Sequence, residues 1–284
     1  GYRNMNIRSA RLFPLMLALV LALSACTSGD PSNTRTPAAS STTPASPTPS
    51  SSGAPQDAAP SSPSPTPQVL TWSEQTFQRD YTAEDGTLVM SVKYVFPDVE
   101  NADQNPAWSE ISSYYAAEGA AYMATAGELA GYAADDYAVT KATGGEFLPF
   151  GEESGYRFSL ETKDLVSVVR SYYANSVTGA AHPANYQFSE QFDLATGERL
   201  TLSSFFTDPE AARTRILETL SGKDALSGYS ADTLSSEFKD EYFYLTEDGF
   251  VFYFQPDTVA PYAAGLLEFS IPYSELEDLL SPTL

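Results

Sequence analysis

The sequence has 284 residues, of which 37 are acidic and 15 are basic, so its formal net charge is -22 at pH 7. Such a surface repels nucleic acid and anionic lipid, which argues against both as partners. The charge either serves solubility alone or attracts a cationic partner. The single cysteine excludes an intrachain disulfide, and 18 tyrosines and 16 phenylalanines supply material for an aromatic core.

The first segment predicts an export signal. Basic residues precede an apolar run at 12–22, and the run ends at Leu23-Ser24-Ala25-Cys26. These four residues look like the lipobox of bacterial lipoproteins, in which the cysteine receives a diacylglycerol and the preceding peptide is removed. The alternative is an uncleaved anchor, but the run is shorter than the roughly 20 residues of a spanning helix. We therefore expect a signal peptide at 1–26 and a lipid-anchored protein on the extracellular face of the bacterial cytoplasmic membrane.

Residues 27–68 predict a disordered linker. The stretch consists mainly of Ser, Thr, Pro and Ala and has no apolar side chain larger than alanine, so it cannot bury enough surface to offset the entropy of ordering. The folded part then covers residues 69–284. All but two of the acids and all but four of the bases lie in it, which gives it a formal net charge of -24.

The first predicted elements are strands at 72–81 and 87–96, with an Asp-Gly turn between them and Pro97 as the end of the second strand. A helix follows, capped by Asn105 and ending near Gly131. Its apolar residues recur every three or four positions and form one stripe. The stripe consists of Trp108, Ile111, Tyr115, Gly119, Tyr122, Ala126 and Leu129.

Strands dominate the rest of the chain, since β-branched and aromatic residues are enriched there. They are predicted at 137–150, 155–163, 165–175, 185–194, 198–202, 241–245, 250–254 and 267–271. Helices are predicted after Asp208, at 230–239 and at 274–280. This order predicts an α+β fold of two small antiparallel sheet-plus-helix units packed together. The predicted domains are 69–165 and 166–284.

The usual catalytic and metal-binding sets are not found in the sequence. His182 is the only histidine and Cys26 belongs to the anchor, so a zinc site has too few ligands and no triad pattern is present. Adjacent acids such as Asp135-Asp136 or Glu152-Glu153 are expected by chance in so acidic a chain. We predict no catalytic residue, no metal site and no cofactor. A hydrolase that uses a carboxylate pair on a wall polymer remains an alternative.

Two connections differ from ordinary core segments. Residues 177–185 form a loop of small residues between two strong strands, and residues 254–265 join two strands through two prolines. A loop stiffened by proline loses little entropy when it docks on a partner. The predicted ligand-binding residues are Thr178, His182, Pro183, Asp257, Pro261 and Tyr262. The alternatives are a plain connection for the first loop and a buried core position for Tyr262.

The same segments carry a family resemblance. Its motifs are Tyr172-Tyr173, FDLATG at 192–197, VAPYAAG at 259–265 and IPYSEL at 271–276. Together they resemble the extracellular domain of the RsiV-type anti-sigma factors, and they are similar to the non-catalytic front region of PdaC-type peptidoglycan deacetylases. Residues 72–164 look like the smaller domain that usually precedes this one. The chain departs from the family at 179–182, where Gly-Ala-Ala-His replaces the common Gly-Gly-Ala-His.

The resemblance implies binding to lysozyme, a basic enzyme that attacks the cell wall. The acidic surface agrees with such a partner. Few residues precede the apolar run, so we do not expect this chain to hold a sigma factor itself. The favoured function is a non-catalytic ectodomain that sequesters or senses a lysozyme-like cationic hydrolase, and the first alternative is a module that binds peptidoglycan through its tyrosines.

Overall fold

The structure is a computed structural model, and it describes residues 68–175 and 183–284. The predictions for the signal peptide, Cys26, the linker up to residue 67, Thr178 and His182 lie outside these residues. Nine strands and three α-helices are described. The strands are β1 Trp72–Thr82, β2 Leu88–Val99, β3 Phe150–Glu161, β4 Leu165–Asn175, β5 Ala184–Asp193, β6 Arg199–Leu200, β7 Phe243–Leu245, β8 Gly249–Phe254 and β9 Leu267–Pro272; the helices are α1 Pro106–Ala142, α2 Pro209–Ser221 and α3 Ala231–Glu237.

The strands form two sheets, which confirms the α+β fold. β1 to β6 lie side by side in chain order in a six-stranded sheet, and β7 to β9 form a three-stranded antiparallel sheet. One pair differs from the antiparallel prediction: β2 and β3 run parallel, because α1 carries the chain back between them. The predicted boundary at residue 165 falls on the first residue of β4, which pairs with β3 in the same sheet.

The helix α1 begins as predicted and ends later. Asn105 accepts a hydrogen bond from the Ala107 amide, and the stripe from Trp108 to Ala126 is buried against the sheet. The predicted end at Gly131 and the predicted strand at 137–150 are wrong, because the helix continues to Ala142. Each glycine weakens a helix by about 1 kcal/mol, but burial of alanines in this stretch offsets that cost. A membrane-spanning helix is not found among the described residues.

The strand β2 passes through Pro97, where the sequence predicted its end. Pro97 pairs with Glu74 of β1, whereas the ladder between β2 and β3 stops at Tyr94. Proline has no N–H to donate, but β3 no longer pairs with β2 at this position, so no hydrogen bond of that ladder is lost. Beyond the end of that ladder, Trp72 of β1 packs on Phe158 of β3 with ring centroids 4.6 Å apart.

The core has two large apolar clusters and a polar contact between the sheets. One cluster lies between α1 and the six-stranded sheet, and the other lies among α2, α3 and β7 to β9. Between the sheets, Ser167 accepts a hydrogen bond from the Leu245 amide at 3.0 Å, and Ser189 and Gln191 donate to the Phe243 carbonyl. Polar side chains of β4 and β5 thus satisfy the free edge of β7.

The C-terminal segment differs from its prediction. A closing helix was predicted at 274–280, but the residues form two short 3-10 turns, Tyr273–Glu275 and Glu277–Leu279. Leu276 between them is fully buried in the second cluster. The helix α2 begins after its predicted cap Asp208, which accepts from the Ala211 amide. The helix α3 is shorter than the predicted 230–239, and its cap Ser230 accepts from the Thr233 amide.

Candidate functional site

The candidate site lies where the loop after β8 meets the start of β5. The side chain of Gln255 joins the two segments through both of its polar atoms. Its Oε1 accepts from the Gln187 amide at 3.0 Å, and its Nε2 donates to the Gln187 carbonyl at 2.6 Å. This pair of bonds occupies the edge of β5 in the way a neighbouring strand would. The long loop is therefore held against the six-stranded sheet at its first residue.

Tyr262 makes the second connection between these segments. Its hydroxyl donates to the Pro183 carbonyl at 2.7 Å and accepts from Asn185 Nδ2 at 3.1 Å. Two residues that the sequence predicted for one site, 79 positions apart, are thus in direct contact. The sequence left open whether Tyr262 is exposed or buried in the core. In the structure Tyr262 is half-buried, while Pro261 beside it is exposed.

Asp257 lies on the exposed side of the same loop. Its φ of 62° is in the left-handed region, which aspartate tolerates better than most residues with a Cβ. The Thr258 hydroxyl donates to the Gln255 carbonyl at 2.7 Å and Val259 is buried, so both sides of this turn are anchored. Burial, and after it the negative charge of Asp257, raises the pKa of Tyr186 on β5. The Asp257 carboxylate is therefore close enough to β5 to interact electrostatically with Tyr186.

Asn185, Tyr186, Gln187 and Gln255 were not predicted as site residues. A signal for Asn185 and Gln187 does exist in β5, where polar residues recur at every second position. They are Asn185, Gln187, Ser189 and Gln191. A polar face on a strand that is otherwise part of the core indicates a second polar surface packed against it. The partner of Gln187 is 68 positions away, and no local pattern identifies it.

Several of the exposed basic side chains form ion pairs. Four basic side chains at the surface pair with aspartates: Lys141 with Asp85, Lys163 with Asp164, Arg213 with Asp240 and Arg215 with Asp278. The hydrogen bond from Arg215 holds the pKa of Asp278 below its usual range. The folded residues carry far more acids than bases, so most surface carboxylates are left without a cation. The surface around the candidate site is part of this anionic field.

The adjacent acids Glu152 and Glu153 point to opposite faces of β3. Glu152 is buried and accepts hydrogen bonds from Tyr94 and Tyr172, whereas Glu153 is exposed, because neighbouring residues of a strand point to opposite faces. In residues 68–175 and 183–284, His, Cys, Asp and Glu form no group of three or more that could hold a metal ion. In the loop after β8, Asp257 and Pro261 are exposed and Tyr262 is half-buried.

Comparison with known proteins bears on this half of the chain. Residues 203–274 match the DUF3298 family. Its description is "Protein of unknown function (DUF3298)", and the matched stretch includes α2, α3, the second sheet and the loop with Asp257, Pro261 and Tyr262. Part of the candidate site therefore lies inside the DUF3298 match. The finer resemblance to RsiV-type domains stays a prediction.

Two solved DUF3298 structures are similar to this chain. A member from Bacteroides fragilis NCTC 9343 is 18% identical with a TM-score of 0.57, and the match covers 76% of this chain and 95% of that one. A DUF3298 family protein from Pseudomonas aeruginosa PAO1 is 15% identical with a TM-score of 0.51, over 76% and 96% of the two chains. At these identities the likeness shows a shared fold. Among curated proteins the chain has no match.

Proposed function

We propose that this chain is the non-catalytic binding ectodomain of a lipid-anchored protein of the cell envelope. Its favoured ligand is a lysozyme-like cationic hydrolase, which it sequesters or senses. The observation that carries the proposal is the direct contact between Tyr262 and Pro183, which joins the two predicted binding segments on a strongly anionic domain. Cys26 would tether the domain outside the cytoplasmic membrane, and the linker at 27–68 would hold it away from the lipid.

The geometry supports a binding role in a specific way. Gln255 and Tyr262 fix the loop on β5 from both ends, so the loop is ordered before a partner arrives. A pre-ordered loop loses less conformational freedom on binding than a free one. The exposed Pro261 supplies an apolar contact and Asp257 a charge for a cationic partner. The anionic surface would accelerate the encounter with such a partner, and this attraction would weaken with added salt.

A titration with hen lysozyme tests the site. Replacing Tyr262 with alanine should weaken the affinity of the full chain at least about tenfold, because interface energy usually rests on a few aromatic anchors. Tyr262→Phe keeps the ring but loses the hydrogen bonds to Pro183 and Asn185, so its affinity should lie between that of the parent chain and that of Tyr262→Ala. Tyr132→Ala is the matched control, since Tyr132 is an exposed tyrosine of α1. An unchanged affinity for Tyr262→Ala in a folded protein would remove this loop from the site.

A second candidate is a module that binds peptidoglycan glycan. Tyr173 favours it: the side chain is 41% exposed and lies opposite Asn185 in the ladder between β4 and β5. An exposed ring beside an amide is a surface on which a sugar can stack and form hydrogen bonds. Sedimentation of the full chain with insoluble peptidoglycan tests this role. Binding that persists at high salt and is lost in Tyr173→Ala would favour the glycan over the cationic protein.

A further inference from the structure

The core under α1 contains a group of buried ionisable side chains that the binding proposal does not use. Arg170, Glu190, Glu118 and Glu152 are 2%, 3%, 5% and 1% exposed, respectively. Charged side chains are rarely buried to this degree unless each has a partner of opposite charge. Three buried carboxyl groups and one buried guanidinium therefore lie in this core.

Glu190 takes most of the interaction with Arg170. Arg170 Nε lies 2.9 and 3.1 Å from the two carboxylate oxygens, and Nη2 donates to the same group. Arg170 Nη1 donates to the Tyr122 hydroxyl at 3.0 Å, and the hydroxyls of Tyr114 and Tyr115 point at Glu190 from 3.5 and 3.3 Å. This pair is complete, since both oxygens and the fork of the guanidinium are occupied.

The other two carboxyl groups lack a comparable cation. Glu118 lies 3.6 Å from Arg170 Nη2, and its Oε2 has no hydrogen-bond partner among the described residues. Glu152 accepts from the Tyr94 hydroxyl at 2.8 Å and from the Tyr172 hydroxyl, and no arginine or lysine pairs with it in the described part of the chain. If both were ionised, the cluster would hold two uncompensated negative charges in a dry core, which is very unfavourable.

We propose that the folded domain binds protons at Glu118 and Glu152, so that acidification from pH 8 to pH 5 stabilises it. The groups that face these two carboxyls come from every element packed around them. Around Glu118 they are Tyr114 and Tyr122 of α1, Arg170 of β4, Glu190 of β5 and Arg199 of β6, and around Glu152 they are Tyr94 of β2 and Tyr172 of β4. The inference concerns the core of this fold and does not depend on the ligand.

The pKa directions agree with this geometry. Burial raises the pKa of Glu118, and the nearby Glu190 adds to the rise while Arg170 opposes it. Burial also raises the pKa of Glu152, against the hydrogen bonds from Tyr172 and Tyr94. The unfolded chain loses these protons near its ordinary glutamate pKa, below the folded values. At pH values between the unfolded-state and the folded-state pKa, the folded state holds more protons than the unfolded state. Stability therefore falls as pH rises, and the unfolding constant increases by up to about tenfold per pH unit for each proton.

Other titrations can be kept out of this window. Hydrogen bonds from Tyr137 and Lys141 lower the pKa of Asp85, and the Arg215 bond lowers that of Asp278. Lowered carboxyl pKa values change stability in the opposite direction, and only at pH values below the ordinary aspartate pKa. His182 is the only histidine in the chain. A His182→Gln background removes its titration between pH 5 and pH 8.

Urea unfolding of the full chain in the His182→Gln background, from pH 5 to pH 8, tests the proposal. We expect stability to decrease as pH rises, and the double variant Glu118→Gln/Glu152→Gln to lose this slope and exceed the parent at pH 8. Glu153→Gln is the matched control, because Glu153 is the exposed neighbour of Glu152 and should keep the parental slope. A parental stability that is flat or rises over this range would overturn the proposal.

A second measurement covers the case in which the double variant does not fold. Carbon NMR of the glutamate carboxyls in the parent chain follows each protonation without a substitution. Two carboxyls that still carry their proton above pH 5 would support the proposal, and their assignment to Glu118 and Glu152 follows from the single variants. If every glutamate titrates below pH 5, the core carboxyls are ionised and the proposal is wrong.

Discussion

At the scale of single residues, Gly119 shows how closely α1 approaches the sheet. A Cβ at this position would lie 2.2 Å from Phe77 Cε2, inside the van der Waals distance, so only glycine fits. We predict that Gly119→Ala lowers the free energy of unfolding by about 1–3 kcal/mol, which is the usual cost of an overpacked core. Urea denaturation followed by tyrosine and tryptophan fluorescence measures it.

The control for this prediction is on the same helix. Gly127 has no atom within 4 Å of its would-be Cβ, so alanine there meets no clash. Gly127→Ala should raise the free energy of unfolding by about 0.5–1 kcal/mol, since alanine is the better helix former. Equal effects of the two substitutions would mean that the contact between Gly119 and Phe77 does not limit the packing of α1.

The residue scale also shows what the sequence could predict of the site. Pro261 and Tyr262 were identified because proline-rich connections differ visibly from strand and helix patterns. Gln255 was not identified, because its role is to bond backbone atoms of Gln187, 68 positions away. Contacts of this kind depend on how the two sheets pack, and a side chain that bonds to a backbone has no fixed sequence partner.

At the scale of elements, the edge of β7 is stabilised by side chains in place of a strand. Ser167 Oγ accepts from the Leu245 amide at 3.0 Å and from Gln191 Nε2 at 3.2 Å, in a fully buried position. We predict that Ser167→Ala lowers the free energy of unfolding by about 1–3 kcal/mol, because the Leu245 amide is left buried without an acceptor. The same urea measurement checks this value.

Ser171 provides the comparison for that element. It lies on the same strand and on the same side as Ser167, four residues on, but its side chain is exposed. Ser171→Ala should change the free energy of unfolding by less than about 0.5 kcal/mol. If Ser167→Ala were as mild, the two sheets would not rely on this polar contact.

Element boundaries show where sequence patterns succeed and where they fail. The strand predicted at 165–175 coincides with β4, α2 begins after its predicted cap Asp208, and α3 lies within the helix predicted at 230–239. The end of α1 was wrong because glycine and polar residues weaken a helix signal, while burial of Ala126, Ala130 and Ala133 keeps the helix intact. Local propensity is a weak term, and tertiary packing overrides it here.

At the scale of the whole molecule, charge is the property that the sequence predicts most directly. The excess of acidic residues can be counted from the sequence alone. The pairing of Arg170 with Glu190 in the core can be seen only in the folded structure. The buried pair removes one of the few cations from the surface and leaves the exterior dominated by carboxylates. A domain with this surface attracts cationic proteins over a distance of about one Debye length, which shrinks as salt is added.

The most direct test of the binding account is the affinity of the full chain for hen lysozyme at low and high salt, with an acidic protein of similar size as control. We predict a measurable dissociation constant that weakens at least about tenfold between roughly 50 and 500 mM salt, and no binding of the acidic protein. An affinity for lysozyme that is undetectable at low salt, or that is indifferent to salt, would contradict the account.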